Sequence, residues 1–116
     1  MNPDPSSPAE AGATPYSLVM TTVDSDAAAD DLAARIVESQ LAACVQIVPL
    51  KSVYRWRGQV RREAEWLLLV KTSRRFDEVE RFIRANHSYE TPEVLRLAIA
   101  GGSGDYLQWL SDACGS

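Results

Sequence analysis

Lys71, His87, Glu90 and Glu93 are the side chains of this sequence whose types and spacing could do chemistry. Lys71 stands among Leu69, Val70 and Thr72, where an ammonium must either pair with a carboxylate or open on a cleft. Glu90 or Glu93 would supply the carboxylate, and an anion held between subunits is the other reading. His87 is the chain's one histidine. Imidazole suits transition metals, yet a single ring cannot hold an ion without Glu90, Glu93 or groups from a neighbouring subunit. His87 also comes just after an expected helix, where a histidine can satisfy the last carbonyls, and that structural role is the simpler one. Lys71, His87 and Glu90 in a shared cleft make up the one enzyme hypothesis the sequence offers.

Other reactive candidates carry less. Cys44 lies in an apolar run with no base beside it and no strained nucleophile turn, so it reads as a structural thiol. Gly101-Gly102-Ser103-Gly104 precedes a helix and could receive an anion, but it lacks the lysine of a phosphate loop and reads as a connector. Tyr54 and Trp56, two residues apart on one strand, are of the type that fills buried association surfaces. Lining a ligand cleft with Lys71 and Glu90 is their second reading.

The elements that must position these groups are led by a hairpin. Ala43 to Arg57 and Gln59 to Thr72 are two strand-like runs about an Arg57-Gly58 turn. Thirteen residues of strand span roughly 40 Å, while a chain of this length packs to a radius of gyration of about 13 Å. The outer half, with Val53, Tyr54, Trp56 and Val60, therefore needs cover from another copy of the chain. Trp66 to Val70 is apolar on both parities, which demands a layer on each side of the sheet and adds Trp66 to the expected subunit interface. Pro49 removes a ladder donor, so a kink or bulge is expected there.

Around the hairpin, Ser17 to Val23 reads as a strand ended by capping residues Asp24-Ser25-Asp26. A helix over 26–40 carries the stripe Ala29, Leu32, Ala33, Ile36 and Val37. Ser73 caps a helix from Arg74 to Asn86 with Phe76, Val79, Phe82 and Ile83 inward. Val94 to Ile99 is a strand, and Asp105 to Ala113 a last helix with Tyr106, Leu107, Trp109 and Leu110 inward. The order βαββαβ plus a helix predicts an α+β, ferredoxin-like sheet in a single domain over 16–116, preceded by a Pro/Ser/Ala-rich tail over 1–15.

Composition narrows the class. At 116 residues, 46% hydrophobic, 24% charged and net charge −4, the chain is one globular domain. Its acidity argues against nucleic acid as partner, since Arg55, Arg57, Arg61 and Arg62 are interleaved with Glu63 and Glu65. No apolar run suits a membrane and no secretory signal opens the chain, so the expectation is cytoplasmic. The two cysteines lack redox or zinc spacing.

Five ordered blocks then carry a resemblance: Ala43-Cys44-Val45-Gln46-Ile47; Ser52 to Gly58; Glu65 to Thr72; His87-Ser88-Tyr89-Glu90-Thr91-Pro92-Glu93; and Tyr106 to Leu110. Together they resemble the CutA family of divalent-cation tolerance proteins across Ser17 to Leu110. The resemblance implies a homotrimer akin to the PII signalling proteins, long hairpins wrapped over neighbours, and a link to copper tolerance without a settled enzymatic reaction. Copper-binding members resemble a scheme with a cysteine in the first strand and a His-His pair before the tyrosine; here those positions are Met20 and Asn86-His87, and Ser88 replaces a proline. The expectation is therefore a non-enzymatic binding or regulatory trimer requiring no cofactor. Copper, another divalent cation or a small anion would be its ligand, and its protein partner is unknown. A scaffold that binds no ligand is the alternative.

Overall fold

The computed structural model describes residues 14–115, so the expected tail lies outside the described residues except for Thr14 and Pro15. Seven elements occur in order: β1 (Ser17–Val23), α1 (Asp26–Glu38), β2 (Cys44–Trp56), β3 (Gln59–Thr72), α2 (Phe76–Ala85), β4 (Leu95–Ala98) and α3 (Gly104–Ala113). They form the ferredoxin-like α+β plan, with the sheet ordered β2-β3-β1-β4 and the paired strands antiparallel.

The hairpin turn is two residues long. Arg57 (φ 50°) and Gly58 (φ 77°) both adopt left-handed backbone, the conformation that matches the twist of the flanking strands. From that turn the pairing runs without interruption from Trp56–Gln59 to Cys44–Lys71. The bulge expected at Pro49 is therefore absent. Counting from the turn, Pro49 and Trp66 form a non-hydrogen-bonded pair, so on the edge strand β2 the missing N–H faces outward and costs the ladder nothing.

This register sorts the sheet into two faces. Val19, Thr21, Val23, Leu68 and Val70 face the helices, where α1 contributes Ala29, Leu32, Ala33 and Ile36 and α2 contributes Val79 and Ile83, all buried. Val37, expected inward, is 40% exposed, because α1 turns it off the narrow stripe that meets the sheet. Trp66 shares the helix face with Val23 and packs on this core. It packs within its own chain while staying partly exposed. The opposite face carries Leu18, Met20, Leu67, Leu69, Val48, Leu50, Leu95 and Leu97, with Leu95 54% and Val48 40% exposed. Both edge strands, β2 and β4, keep one side unpaired within the subunit.

Helix ends obey local chemistry. Ser25 caps α1 by accepting the Ala28 N–H at 3.0 Å. Gln40, at φ 59°, closes it: the N–H groups of Gln40 and Leu41 bond to Val37 O and Ile36 O, a Schellman ending with glutamine where glycine is usual. Ser73 does not cap α2. Thr72 Oγ1 instead accepts the Arg74 N–H at 2.8 Å and donates to Leu41 O at 2.6 Å, which keeps 73–75 extended and delays the helix to Phe76. The last helix shows one buried stripe through Leu110 and Cys114, whereas Tyr106 and Trp109, expected inward, are 41% and 47% exposed. Arg74 holds its end by donating to Cys114 O while pairing with Glu78.

The described chain measures 47 × 35 × 24 Å with a radius of gyration of 15.5 Å, above the roughly 13 Å of a compact chain of this length. The hairpin's outer half accounts for the difference: Val53 and Val60 are 54% and 60% exposed. We expect Gly58→Ala to lose about 1 kcal/mol of stability, since an L side chain strains at this φ, measured as a shift in the urea midpoint; an unchanged midpoint would show that the turn is not what fixes the hairpin.

Candidate functional site

The register places Ser52, Tyr54 and Trp56 of β2 on the same face as Glu63 and Glu65 of β3, opposite the helices. The α2–β4 connection then curls around the end of β1 and roofs this part of the face. Three contacts pin it. His87 Nδ1 accepts the Tyr89 N–H at 3.1 Å, so the ring proton resides on Nε2 and is donated to Thr22 O at 2.8 Å. Tyr89 Oη donates to Glu65 Oε2 at 2.7 Å. Arg57, at the hairpin tip, pairs with Glu90 at 3.1 Å, an exposed bridge that orients more than it stabilises.

Between connection and hairpin lies a pocket of about 640 Å³ whose lining includes Thr22, Tyr54, Trp56, Glu63, Glu65, Tyr89, Glu90 and Glu93. Glu65 is its floor and is only 6% exposed. Burial raises the Tyr89 phenol above its ordinary value of 10.0, and the hydrogen bond to Glu65 adds to the rise. Tyr54 is raised as well, chiefly by the neighbouring Glu63 carboxylate. The Tyr89 phenol thus stays protonated as the donor to Glu65.

The site residues expected from sequence divide. Tyr54, Trp56, Glu90 and Glu93 line the pocket together. Lys71 does not join them: it lies six residues up β3 from Glu65, roughly 20 Å away, donating to Tyr106 Oη at 3.4 Å and lying 5.5 Å from that ring's centroid. Its expected pairing with Glu90 or Glu93 is corrected, because Arg57 reaches Glu90 and the sheet separates the ends of the strand. Lys71, His87 and Glu90 are accordingly not gathered in one cleft of the subunit. His87 spends both ring nitrogens inside the fold, leaving no lone pair for a metal in this arrangement. Asn86 is also engaged, with Arg35 and with Phe82 O, and Met20 pairs with Leu69 and Leu95 on the apolar face. Among the described residues, no three His, Cys, Asp or Glu side chains converge to hold an ion. Both cysteines are free thiols, and buried Cys114 has its sulfur 3.9 Å from Thr72 Oγ1.

Glu63, Glu65 and Tyr89 do not stand out in the sequence as ligand-cleft residues. For the two glutamates a signal exists: counting back from a two-residue turn puts Glu63 and Glu65 on the parity of Tyr54 and Trp56. Tyr89 has none, since only the path of the connection brings its hydroxyl to Glu65.

A βαββαβ sheet with an overlong hairpin and an acidic, aromatic-lined pocket defines a ferredoxin-like domain with a candidate binding site. The family described as CutA1 divalent ion tolerance protein matches residues 17–113, and the chain belongs to it. The chain is 45% identical to the divalent-cation tolerance protein CutA of Thermus thermophilus, covering 84% of this chain and 97% of that one. It is also 45% identical to the chloroplastic protein CutA of Arabidopsis thaliana, covering 85% of this chain but only 56% of the plant protein's length. Among solved structures, the PII-like protein CutA of Nostoc in apo form superposes with a TM-score of 0.80 at 26% identity, over 84% of this chain and 96% of that one.

Tyr89→Phe should cost about 1.5–3 kcal/mol by leaving the Glu65 carboxylate without its donor. The neutral phenol is favoured by the fold, so its contribution is complete below pH about 10 and is lost as pH rises through the raised folded value. Urea midpoints of wild type and Tyr89→Phe should therefore converge above pH about 10; a constant gap would place the effect outside the phenol's titration.

Proposed function

We propose that this chain acts as a homotrimeric, non-enzymatic binding and regulatory protein in the response to divalent metal ions, with its ligand pockets completed at the seams between subunits. The observation that carries the reading is the acidic pocket at the margin of a sheet face left apolar and open in the single subunit. Trimer formation would bury Leu95, Leu97 and Val48 and would shelter Val53, Tyr54, Trp56 and Val60 on the projecting hairpins. The free sides of β2 and β4 are the edges along which neighbouring sheets would pair. Across such a seam a neighbour's Lys71 can approach a pocket that the subunit's own Lys71 cannot reach.

Non-enzymatic action is supported by the separation of Lys71, His87 and Glu90 and by the tolerance role for which the family is named. Metal response in this reading does not run through His87; Glu93, at the exposed rim, is the sequence candidate that remains open to a cation such as copper. Among the described residues no helix is long and apolar enough to cross a membrane. We keep the cytoplasm as the proposed compartment, although the Arabidopsis relative is named chloroplastic.

Light scattering should return three times the 12.8 kDa chain mass at micromolar concentration, and replacing Val53 to Glu63 by a two-residue turn should give monomers or aggregates. A monodisperse single-chain species in wild type, or an intact trimer after truncation, would refute the assembly. Calorimetric titration of Cu(II) and Zn(II) should give the same isotherm for wild type and His87→Ala. Loss of binding in the variant would return His87 to the ligand set.

A further inference from the structure

We infer that the hairpin pocket takes a small organic cation, an amine or guanidinium compound held between carboxylates and aromatic rings, rather than a bare metal ion. This rests on reading the pocket as the binding site and adds the chemical class of its occupant.

Size is the first ground. About 640 Å³ lies in the range of small-molecule sites and would leave an isolated ion surrounded by water. Charge is the second: Glu63, Glu65, Glu90 and Glu93 line the cavity and, among the described residues, no lysine or arginine does. Arg57 offsets one of them, Glu90, and Arg61, beside Tyr54 on the same sheet face, offsets part of the rest. Glu65 is the strongest single indicator. It is more than nine-tenths buried, Oε2 accepts from Tyr89, and no hydrogen bond from the described residues occupies Oε1. Oε1 is not among the buried atoms left without a partner, so it opens on the cavity, where a cationic N–H entering the pocket would meet it with a charge-assisted bond.

Arrangement then separates organic cation from metal. A divalent ion such as calcium or magnesium gathers six or more oxygens at about 2.0–2.6 Å, whereas the carboxylates here do not converge. Dispersed acceptors match a molecule whose N–H groups are themselves dispersed. The walls agree, since Tyr54, Trp56 and Tyr89 line the cavity and aromatic rings attract cations. The chain supplies its own example at the pocket edge: the Arg57 guanidinium sits 5.5 Å from the Trp56 ring centroid while bonding to Glu90. One planar nitrogen cation already uses an aromatic ring and a carboxylate of this pocket together.

The same chemistry has two sources, a free small amine or the Lys71 ammonium of a neighbouring copy. Calorimetric titrations of spermidine and agmatine into wild type, Glu65→Gln, Glu93→Gln and Lys71→Ala distinguish them. Wild type should bind at least one probe saturably, with equimolar Mg²⁺ failing to compete. Glu65→Gln, which keeps an acceptor for Tyr89, should weaken binding tenfold or more, by analogy with loss of a charged hydrogen bond. Glu93→Gln, on the exposed rim, should weaken it a few-fold and serves as the second variant should Glu65→Gln fold poorly. Tighter probe binding in Lys71→Ala would show that a neighbour's ammonium competes for the pocket; unchanged affinity would assign the pocket to free amines. No saturable binding in both wild type and Lys71→Ala, or unchanged affinity in both glutamate variants, would overturn the inference. The mass measurement and the Cu(II) and Zn(II) isotherms stand independently, so a failed amine site is distinguishable from a failed trimer or metal reading.

Discussion

The unbroken register of the β2–β3 hairpin is the constraint on which the rest depends. Side chains alternate strictly across a strand, so a slip of one residue would move Glu63 and Glu65 to the helix face and Leu68 and Val70 out of the core. Arg57 and Gly58, both left-handed, fix the count at one end. Val70 and Leu68, fully buried against α1 and α2, fix it at the other. Between those anchors the same periodicity that builds the core also assembles an acidic and aromatic row on the far face.

A hairpin that outruns its core also explains why the pocket exists. The inner half of β3 is locked between β1 and β2 and covered by helices. Its outer half has only β2 for a partner, so its open face must be roofed by something else. Within the subunit that roof is the connection from α2 to β4, held by His87 to Thr22 O, Tyr89 to Glu65 and Arg57 to Glu90. These contacts differ in kind: the first two are partly buried and set position, while the third is exposed to solvent and screened. The connection is thus tied by partly buried contacts at the sheet end and by an exposed ion pair toward the hairpin tip.

Apolar side chains left open add a further demand. Leu95, Leu97, Val48, Tyr106 and Trp109 together would make an unusual surface for a solitary domain, and the proposed trimer gives them neighbours. The exposed ring of Trp109 and the stripe through Leu110 show one short helix divided between its own subunit and whatever lies beyond it.

Much of the fold was legible in the sequence because its signals are local. The two-residue turn, the β-branched strands, the Asp24-Ser25-Asp26 capping run and the α1 stripe each declare themselves within a few residues, and the order of elements then leaves little choice of topology. Tertiary structure alone decided the rest. Pro49 needed no bulge because its strand lies at an edge with the imide nitrogen turned outward, a fact of sheet order. Ser73 lost its cap because Thr72 ties the strand exit to Leu41, a residue far back along the chain. Lys71 took Tyr106 rather than Glu90 because strand length holds those groups apart, and the roles of His87 and Tyr89 came from the path of one connection around the end of β1. Periodicity records which face a residue occupies; which distant group meets it there is settled only when the faces pack.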